Sequence, residues 1–313
     1  RLMRLLDRLG DMGIGTLTVS TPYLLELIKE RRPSFCVKVG IFAEIDTPGR
    51  ARFWQNLGAD ALTLESLTIN RNFARLRAIQ KAVSIPLQLI ANHICMPDCP
   101  LQSYHQNGFA HASDGSGSLF IDYCLFRCSR KRLEDPSLFV RSPWIRPEDL
   151  SAYENIGYTR FKLTERGAPS EELLKRVKAY TDRQFSGNLA ELMLPYAFPQ
   201  PVEKSSFWFL RHFFHPTKVW PWKLKPILEL ARQQGMLFSR DQRPVNIHAD
   251  KIPDDFLARV SQRDCVSRLC ADCGYCADVA EDAVDVDPNF RRDSLEKFRS
   301  VEEKLRGGDL WNV

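Results

Sequence analysis

Short apolar segments alternate with amphipathic segments through the first half of the chain, and this alternation is the tightest constraint on its fold. Leu17-Thr18-Val19-Ser20 reads as a strand, and Pro22 opens a helix through Tyr23-Leu24-Leu25-Glu26-Leu27-Ile28. Cys36 to Ala43 is the next strand, Pro48 to Leu57 a helix with Gly58 as its C-cap, and Ala61 to Leu64 a strand. Phe73 to Val83 is helical, and Pro86 to Ala91 is again a strand. Apolar strands separated by helices require a parallel sheet with crossover connections. The repeat of roughly 22 to 25 residues suits a (β/α) TIM-like barrel. A doubly wound sheet is the second choice, but its glycine-rich first turn is absent, so nothing points to a dinucleotide site.

The pattern breaks between residues 92 and 144. This segment carries four cysteines and the run Ser113-Asp114-Gly115-Ser116-Gly117-Ser118. So long a loop in a compact domain is usually functional. Following a strand, it would lie at the C-terminal face of a barrel, where active sites are built. Regular structure returns with a helix over Pro147–Ile156, a strand over Thr159–Leu163, and a helix over Ser170–Gln184 with Ser170 as N-cap. Pro195 to Trp222 reads as irregular, Lys225 to Gln234 as a helix, and Asp287 to Arg306 as a polar C-terminal helix. These readings divide the chain into a barrel over 1–250, with a cysteine-bearing insertion at 92–144, and a cysteine-rich tail with its helix over 251–313.

Nine cysteines in 313 residues, clustered and without a leader, point to metal or redox chemistry rather than to a disulfide framework. In Cys265-x4-Cys270-x2-Cys273-x2-Cys276, two successive C-x2-C steps turn several sulfurs inward, as ferredoxin-type runs do. Structural zinc more often joins two separated knuckles, so iron–sulfur is preferred here and zinc is the alternative. Gly274 relieves crowding between the last two thiols. The second constellation pairs Cys95-x3-Cys99 with Cys124-x3-Cys128, each pair placed on one face of a helical turn. Cys36, inside a strand, reads as a small buried hydrophobe.

Around these thiols lie His93, His105, Asn92, Glu44 and Glu65, at or past strand ends and facing one rim. They are candidates for acid–base work or substrate orientation, and equally for caps and structural pairs. The formal charge of +5 is a mild excess. The run Arg127-Cys128-Ser129-Arg130-Lys131-Arg132 is either a solvated face or a phosphate-contacting patch. No stretch of about 18 apolar residues appears, and no signal peptide, which together lead us to expect a cytoplasmic protein. The chain begins at Arg1 within a helical pattern, so the natural protein is expected to start upstream. No P-loop, G-x-S-x-G or H-E-x-x-H is present. A Cys–His peptidase built on Cys95 and His105 would waste the paired-cysteine geometry.

The run Asn92-His93-Ile94-Cys95-Met96-Pro97-Asp98-Cys99-Pro100, followed by Tyr104-His105, resembles the signature of the peptidase U32 family. Val19 to Leu24, Phe53-Trp54, Leu57 to Asp60, Trp144 to Leu150, Phe161-Lys162-Leu163 and Gly187-Asn188-Leu189 extend the resemblance. Cys270-x2-Cys273-Gly274-Tyr275-Cys276 is similar to the cysteine tail of one U32 branch. His93 and Gln102 stand where the family pattern leads one to expect Glu and Arg.

The resemblance implies a barrel whose first strands precede Arg1. It also implies that the cysteines are ligands of one or two 4Fe–4S clusters rather than nucleophiles. Several U32 relatives look like oxygen-independent hydroxylases acting on tRNA, rRNA or the ubiquinone ring, with prephenate as oxygen donor in some. Others work as pairs. The expectation is an iron–sulfur redox enzyme with a small-molecule or RNA-borne substrate. The alternatives are the hydrolase of the family name and a non-catalytic metal-braced partner of a second U32-type subunit.

Overall fold

The computed structural model describes residues 2–97, 99–113, 123–164, 168–195, 221–225, 237–238, 242–265 and 267–309. Helix α1 (Leu2–Asp11) leads into β1 (Thr16–Val19). Alternation follows through α2 (Pro22–Arg31), β2 (Cys36–Val39), α3 (Pro48–Asn56), β3 (Ala61–Thr63), α4 (Phe73–Ala82) and β4 (Leu87–Ile90). Helices α5 (Gln102–Ser113), α6 (Tyr123–Glu134), α7 (Ser137–Arg141) and α8 (Leu150–Glu154) precede β5 (Arg160–Lys162). Next come α9 (Ser170–Asp182), α10 (Ala190–Met193) and β6 (Val245–Ile247). The chain then runs through α11 (Phe256–Ser261), α12 (Cys270–Cys273), α13 (Tyr275–Ala283), β7 (Val284–Val286) and α14 (Pro288–Arg306).

Local chemistry sets these boundaries. Pro22 and Pro48 each open a helix, where the missing N–H is no loss. Thr47 Oγ1 accepts from Arg50 N at 3.3 Å, and Asn72 Oδ1 accepts from Arg75 N at 3.0 Å. Strand β2 ends at Val39, earlier than the expected Ala43, because Gly40 leads into a 3-10 turn over Ile41–Ala43. Ser170 is the first residue of α9 and not its cap; Pro169 holds the cap position.

All five strands of the main sheet pair in parallel and in sequence order, β1-β2-β3-β4-β5. The architecture is therefore mixed α/β. The order has no reversal and hence none of the switch point of a doubly wound sheet. Among the described residues β1 and β5 do not pair with each other, so the sheet is open. Val37, Val39, Leu62, Leu89 and Ala91 fill its core against Leu25, Ile28, Ala51, Leu76 and Ile79 of the connecting helices.

The segment from 92 to 144 is more helical than expected. Phe126 and Leu133 of α6 and Phe139 and Val140 of α7 are buried, and that apolar face is what holds the two helices. Of the Ser113–Ser118 run, residues 114–118 lie outside the described residues, as do nearly all of Pro195–Trp222 and of the expected Lys225–Gln234 helix.

The residues after 250 pack closely on the sheet domain. Strands β6 and β7 form an antiparallel ribbon that joins both sides of that expected boundary. Phe256 stacks on Trp144 with centroids 5.7 Å apart, and on Tyr275 at 6.0 Å. Each such pair contributes about 0.5–1.5 kcal/mol beyond its area. Arg146, paired with Asp149 at 2.8 Å, donates to the carbonyls of Ile252, Pro253 and Asp254. Among the described residues no helix is long and apolar enough to cross a membrane.

Candidate metal centre

Parallel strands deliver the loops after β2, β3 and β4 to one end of the sheet, and the candidate polar residues lie on those loops. Asn92, Glu65, Glu44 and His93 each make side-chain hydrogen bonds within the fold. Asn92, 1% exposed, donates to the carbonyls of Thr164 (3.1 Å) and Leu192 (3.0 Å) and accepts from Thr164 N (2.8 Å) and Thr164 Oγ1 (3.1 Å). Its amide is a clasp between β4, β5 and α10. Glu65, also buried, accepts from Leu67 N, and from Thr68 N and Thr68 Oγ1 at 2.8 Å each, which ties the turn after β3.

Glu44 is exposed, with φ at 51°, and its carboxylate accepts from Ser103 Oγ. Its carbonyl accepts from Arg50 Nη1 at 2.8 Å. The Nδ1 atom of His93 is hydrogen-bonded to Ser66 Oγ. Burial, aided by the Arg132 cation, pushes the His93 imidazole down to about 4, so it is neutral at pH 7. His105, half-buried, sits in the first turn of α5.

Cys95 and Cys99 do not share a helical face. Cys95 lies at a bend and Cys99 precedes α5, which begins only at Gln102. Pro97 biases Met96 away from helical backbone, and Pro100 has no N–H to continue a helix. Cys124 and Cys128 do lie one turn apart on α6. The fold nevertheless draws Cys95, Cys99 and Cys128 into one electrostatic neighbourhood. Burial pushes the Cys95 thiol up to about 12, and Cys128, Cys99 and Glu65 add to the shift while Arg132 opposes it.

Arg132, 5% exposed, donates from Nη2 to the carbonyl of Ile94, the residue before Cys95. Its guanidinium lies 5.9 Å from the Phe139 ring centre, and its Nε has no partner among the described residues. Burial pulls its pKa down, and Cys128, Cys95 and Cys99 hold it up.

The tail thiols form a second neighbourhood. Gly274, at φ 71°, ends α12 and turns the chain into α13, which separates Cys273 from Cys276. Cys265 and Cys270 are exposed, and Cys273 and Cys276 half-buried. Burial raises the pKa of Cys276, with Cys265 and Cys270 adding and Arg71 opposing. Burial likewise raises that of Cys265, with Cys270 and Cys273 adding. Cys273 moves the other way, lowered by the Tyr275 backbone N–H and by Arg263, whose Nη1 donates to its Sγ at 3.5 Å.

Arg71 lies against two stacked rings, 4.7 Å from the Trp144 centre and 5.0 Å from that of Phe256. It donates to the carbonyls of Val140 (2.8 Å) and Trp144 (3.2 Å), and its Nε also has no partner among the described residues. The sequence reading placed Arg132 only in a solvated or phosphate-contacting run and did not single out Arg71 or Ser66. Arg132 had a legible signal, because Cys124, Cys128 and Arg132 follow one another at helical i, i+4, i+8 spacing.

Among the described residues no three His, Cys, Asp or Glu side chains are gathered tightly enough to hold a metal ion. The fit to a thiophilic metal or iron–sulfur cluster is therefore one of donor type and charge. Soft thiol donors fall in two electrostatic neighbourhoods, one around the buried Arg132 and one around the half-buried Arg71, each with an Nε unpartnered among the described residues. The three arginines of the basic run Arg127–Arg132 make internal contacts, while Lys131 is exposed. Arg127 and Arg130 both pair with the buried Glu302 of α14, Arg130 also with Glu134 at 2.8 Å, and Arg132 with the Ile94 carbonyl.

No family model matches the chain. An uncharacterized protease of Methanocaldococcus jannaschii is 33% identical over 187 residues, which is 60% of this chain and 55% of that protein. The chain thus spans little more than half the length of this curated relative. The solved structure of the U32 peptidase Mk0906 is similar with 23% identity and a TM-score of 0.38, over 54% of this chain and 62% of that one.

Proposed function

We propose that this chain is an iron–sulfur enzyme of the U32 type, performing an oxygen-independent hydroxylation or a related redox step at the carboxyl end of a (β/α) barrel. What supports the reading is that Cys95, Cys99 and Cys128 all lie within electrostatic reach of the buried Arg132, which also holds the carbonyl before Cys95. The singly wound strand order is the one a barrel uses, and barrels build their sites at this end. Cys95, Cys99, Cys124 and Cys128 would hold one cluster, and Cys265, Cys270, Cys273 and Cys276 a second cluster or a zinc ion. Bound there, a cluster supplies one-electron chemistry.

The chain's own residues would shape the site around it. Neutral His93, oriented by Ser66, offers an imidazole for holding or moving a proton. Asn92 fixes the loop that carries His93 and Cys95. Glu44 lies exposed at the rim, within reach of a substrate. Because Arg127, Arg130 and Arg132 are spent on internal partners, a small-molecule substrate is favoured over an RNA-borne one.

Anaerobic purification with iron, sulfide and zinc quantified beside a visible spectrum tests this. About four or about eight iron and sulfide per chain, with a broad band near ~400 nm, is the expected result. Zinc alone, with no visible band, would remove the redox reading. The name of the M. jannaschii relative favours a second reading, a peptidase. A variant with every cysteine replaced that still cleaved peptides would establish it.

A further inference from the structure

The two faces of the main sheet differ in kind. Val37, Val39, Leu62 and Leu89 are buried and pack with the connecting helices. Side chains alternate along each strand, so their neighbours line the opposite face. There the register sets Thr18 beside Lys38, Gln88 between Thr63 and Arg160, and Ile90 beside Lys162. Thr63 Oγ1 donates to Gln88 Oε1 at 3.2 Å, so these two side chains share that side. Thr63 and Ile90 are buried, but Lys38 and Gln88 are only half-buried, and Thr18, Arg160 and Lys162 are exposed. Parallel strands ordinarily carry apolar side chains on both faces, and barrel interiors are filled with branched ones. Packing therefore does not account for this polar face. Its charge is also one-sided. None of Lys38, Arg160 and Lys162 pairs with a carboxylate among the described residues. Glu65, the acid just past β3, is committed to its own turn by Leu67 N and by Thr68.

We propose that this face binds the phosphate group of a small molecule, with Arg160 and Lys162 as its first contacts and Lys38 closing from β2. Arg160 and Lys162 alternate on one strand, so their Cα atoms stand about 6.6 Å apart on the same side. Lys38 is three strand spacings away, about 14 Å, a span that a lysine, a phosphate group and an arginine cover end to end. Three cations against one committed carboxylate leave an excess of roughly two charges, which is what a phosphate monoester carries near neutral pH. Its three acceptor oxygens can be met from both sides at once, whereas a single carboxylate carries one charge in one plane. A polynucleotide surface engages roughly six to ten phosphates, so a patch of three cations suits one group on a small molecule. The inference does not depend on what the cysteines hold.

The test is calorimetric titration of the full chain, at fixed ionic strength, with inorganic phosphate, glycerol phosphate and succinate, the last as a dicarboxylate control. Saturable binding of one phosphate probe per chain is expected, with succinate at least about tenfold weaker. Arg160→Met and Lys162→Met are each expected to weaken phosphate binding about tenfold or more, and Lys38→Met likewise. Lys38→Gln replaces the Met variant if the latter does not fold, with the same loss expected. Lys178→Met, which removes an exposed lysine of α9 paired with Asp182, should leave binding unchanged. Failure of both phosphate probes to bind would overturn the inference, as would equal binding by the three variants or an equal loss in Lys178→Met. Succinate binding as tightly as phosphate would overturn the choice of phosphate. Single-stranded RNA that binds with a steep salt dependence while neither phosphate probe binds would replace the small molecule with a polymer. A chain that carries no iron yet binds phosphate would keep this inference and lose the iron–sulfur reading, so the two fail separately.

Discussion

Asn92 and Thr164 exchange hydrogen bonds in both directions across the carboxyl ends of β4 and β5, the Asn92 amide donating to the Thr164 carbonyl and accepting from its N–H and hydroxyl. With its further bond to Leu192, the Asn92 side chain has no capacity left for a substrate in this arrangement. It acts as a clasp that sets where the His93–Cys99 loop begins. Asn92→Ala would orphan buried backbone groups on two elements, and a loss of about 2–4 kcal/mol is expected. Urea denaturation followed by far-UV circular dichroism measures it. Unchanged stability with lost activity would instead make Asn92 a catalytic group.

Glu302 of α14 plays a comparable part for α6. It is 4% exposed and receives both Arg127 and Arg130. The pair therefore fixes the helix that carries Cys124 and Cys128 against the C-terminal helix, where Phe126 also meets Phe298. Glu302→Ala removes the anion and leaves two cations, which are themselves partly exposed. A cost of about 1–3 kcal/mol is expected, below that of a fully buried pair. Faster hydrogen exchange confined to α6 and α14 would localise it; uniform exchange across the sheet would argue against such a clamp.

The βα alternation was legible because strands of a parallel sheet are buried on both faces and read as short apolar runs, as Val37, Val39, Leu62 and Leu89 do. Helix α6 was less so, because its cysteines and arginines mask the apolar face that Phe126 and Leu133 supply. The helical face assumed for Cys95 and Cys99 failed on Pro97 and Pro100, whose effect on the backbone outweighs i, i+4 spacing. The cysteines as a group could be read directly, but Arg71 could not. Its partners Val140 and Trp144 lie 69 and 73 residues away, and only the fold brings them together. The same holds for Asn92, whose partner Leu192 is 100 residues distant.

Gly274 joins α12 to α13 at φ 71°, and a Cβ built there meets only the Asp278 carboxylate, at 3.9 Å. Space is not the constraint, so the effect of a side chain is purely one of backbone conformation. Gly274→Ala is expected to cost about 1 kcal/mol. The turn separates Cys273 from Cys276, so relaxing it would also move those thiols apart. Metal retention by the tail should therefore fall more than global stability does. An Ala variant with wild-type metal content and melting temperature would show that the turn tolerates αL without glycine.

Three buried tyrosines tie the helices to the sheet domain through their hydroxyls. Tyr153 donates to the Asn70 carbonyl at 2.7 Å, Tyr158 to Leu76 at 2.8 Å and Tyr180 to Ile145 at 2.8 Å. Burial raises the pKa of all three above the ordinary 10.0, because a phenolate there would lose water and face a carbonyl oxygen. The unfolded chain ionises first as pH rises. The stability these groups contribute is thus fully present below about pH 10 and is lost as pH climbs from there toward the folded values. Each group adds a slope of up to about 1.4 kcal/mol per pH unit in that window. Urea denaturation at a series of pH values up to about 11 should show the decline. Tyr158→Phe should be less stable at neutral pH by about 1 kcal/mol yet flatter in its alkaline slope. A variant with an unchanged slope would mean that Tyr158 titrates normally and that its bond to Leu76 contributes little.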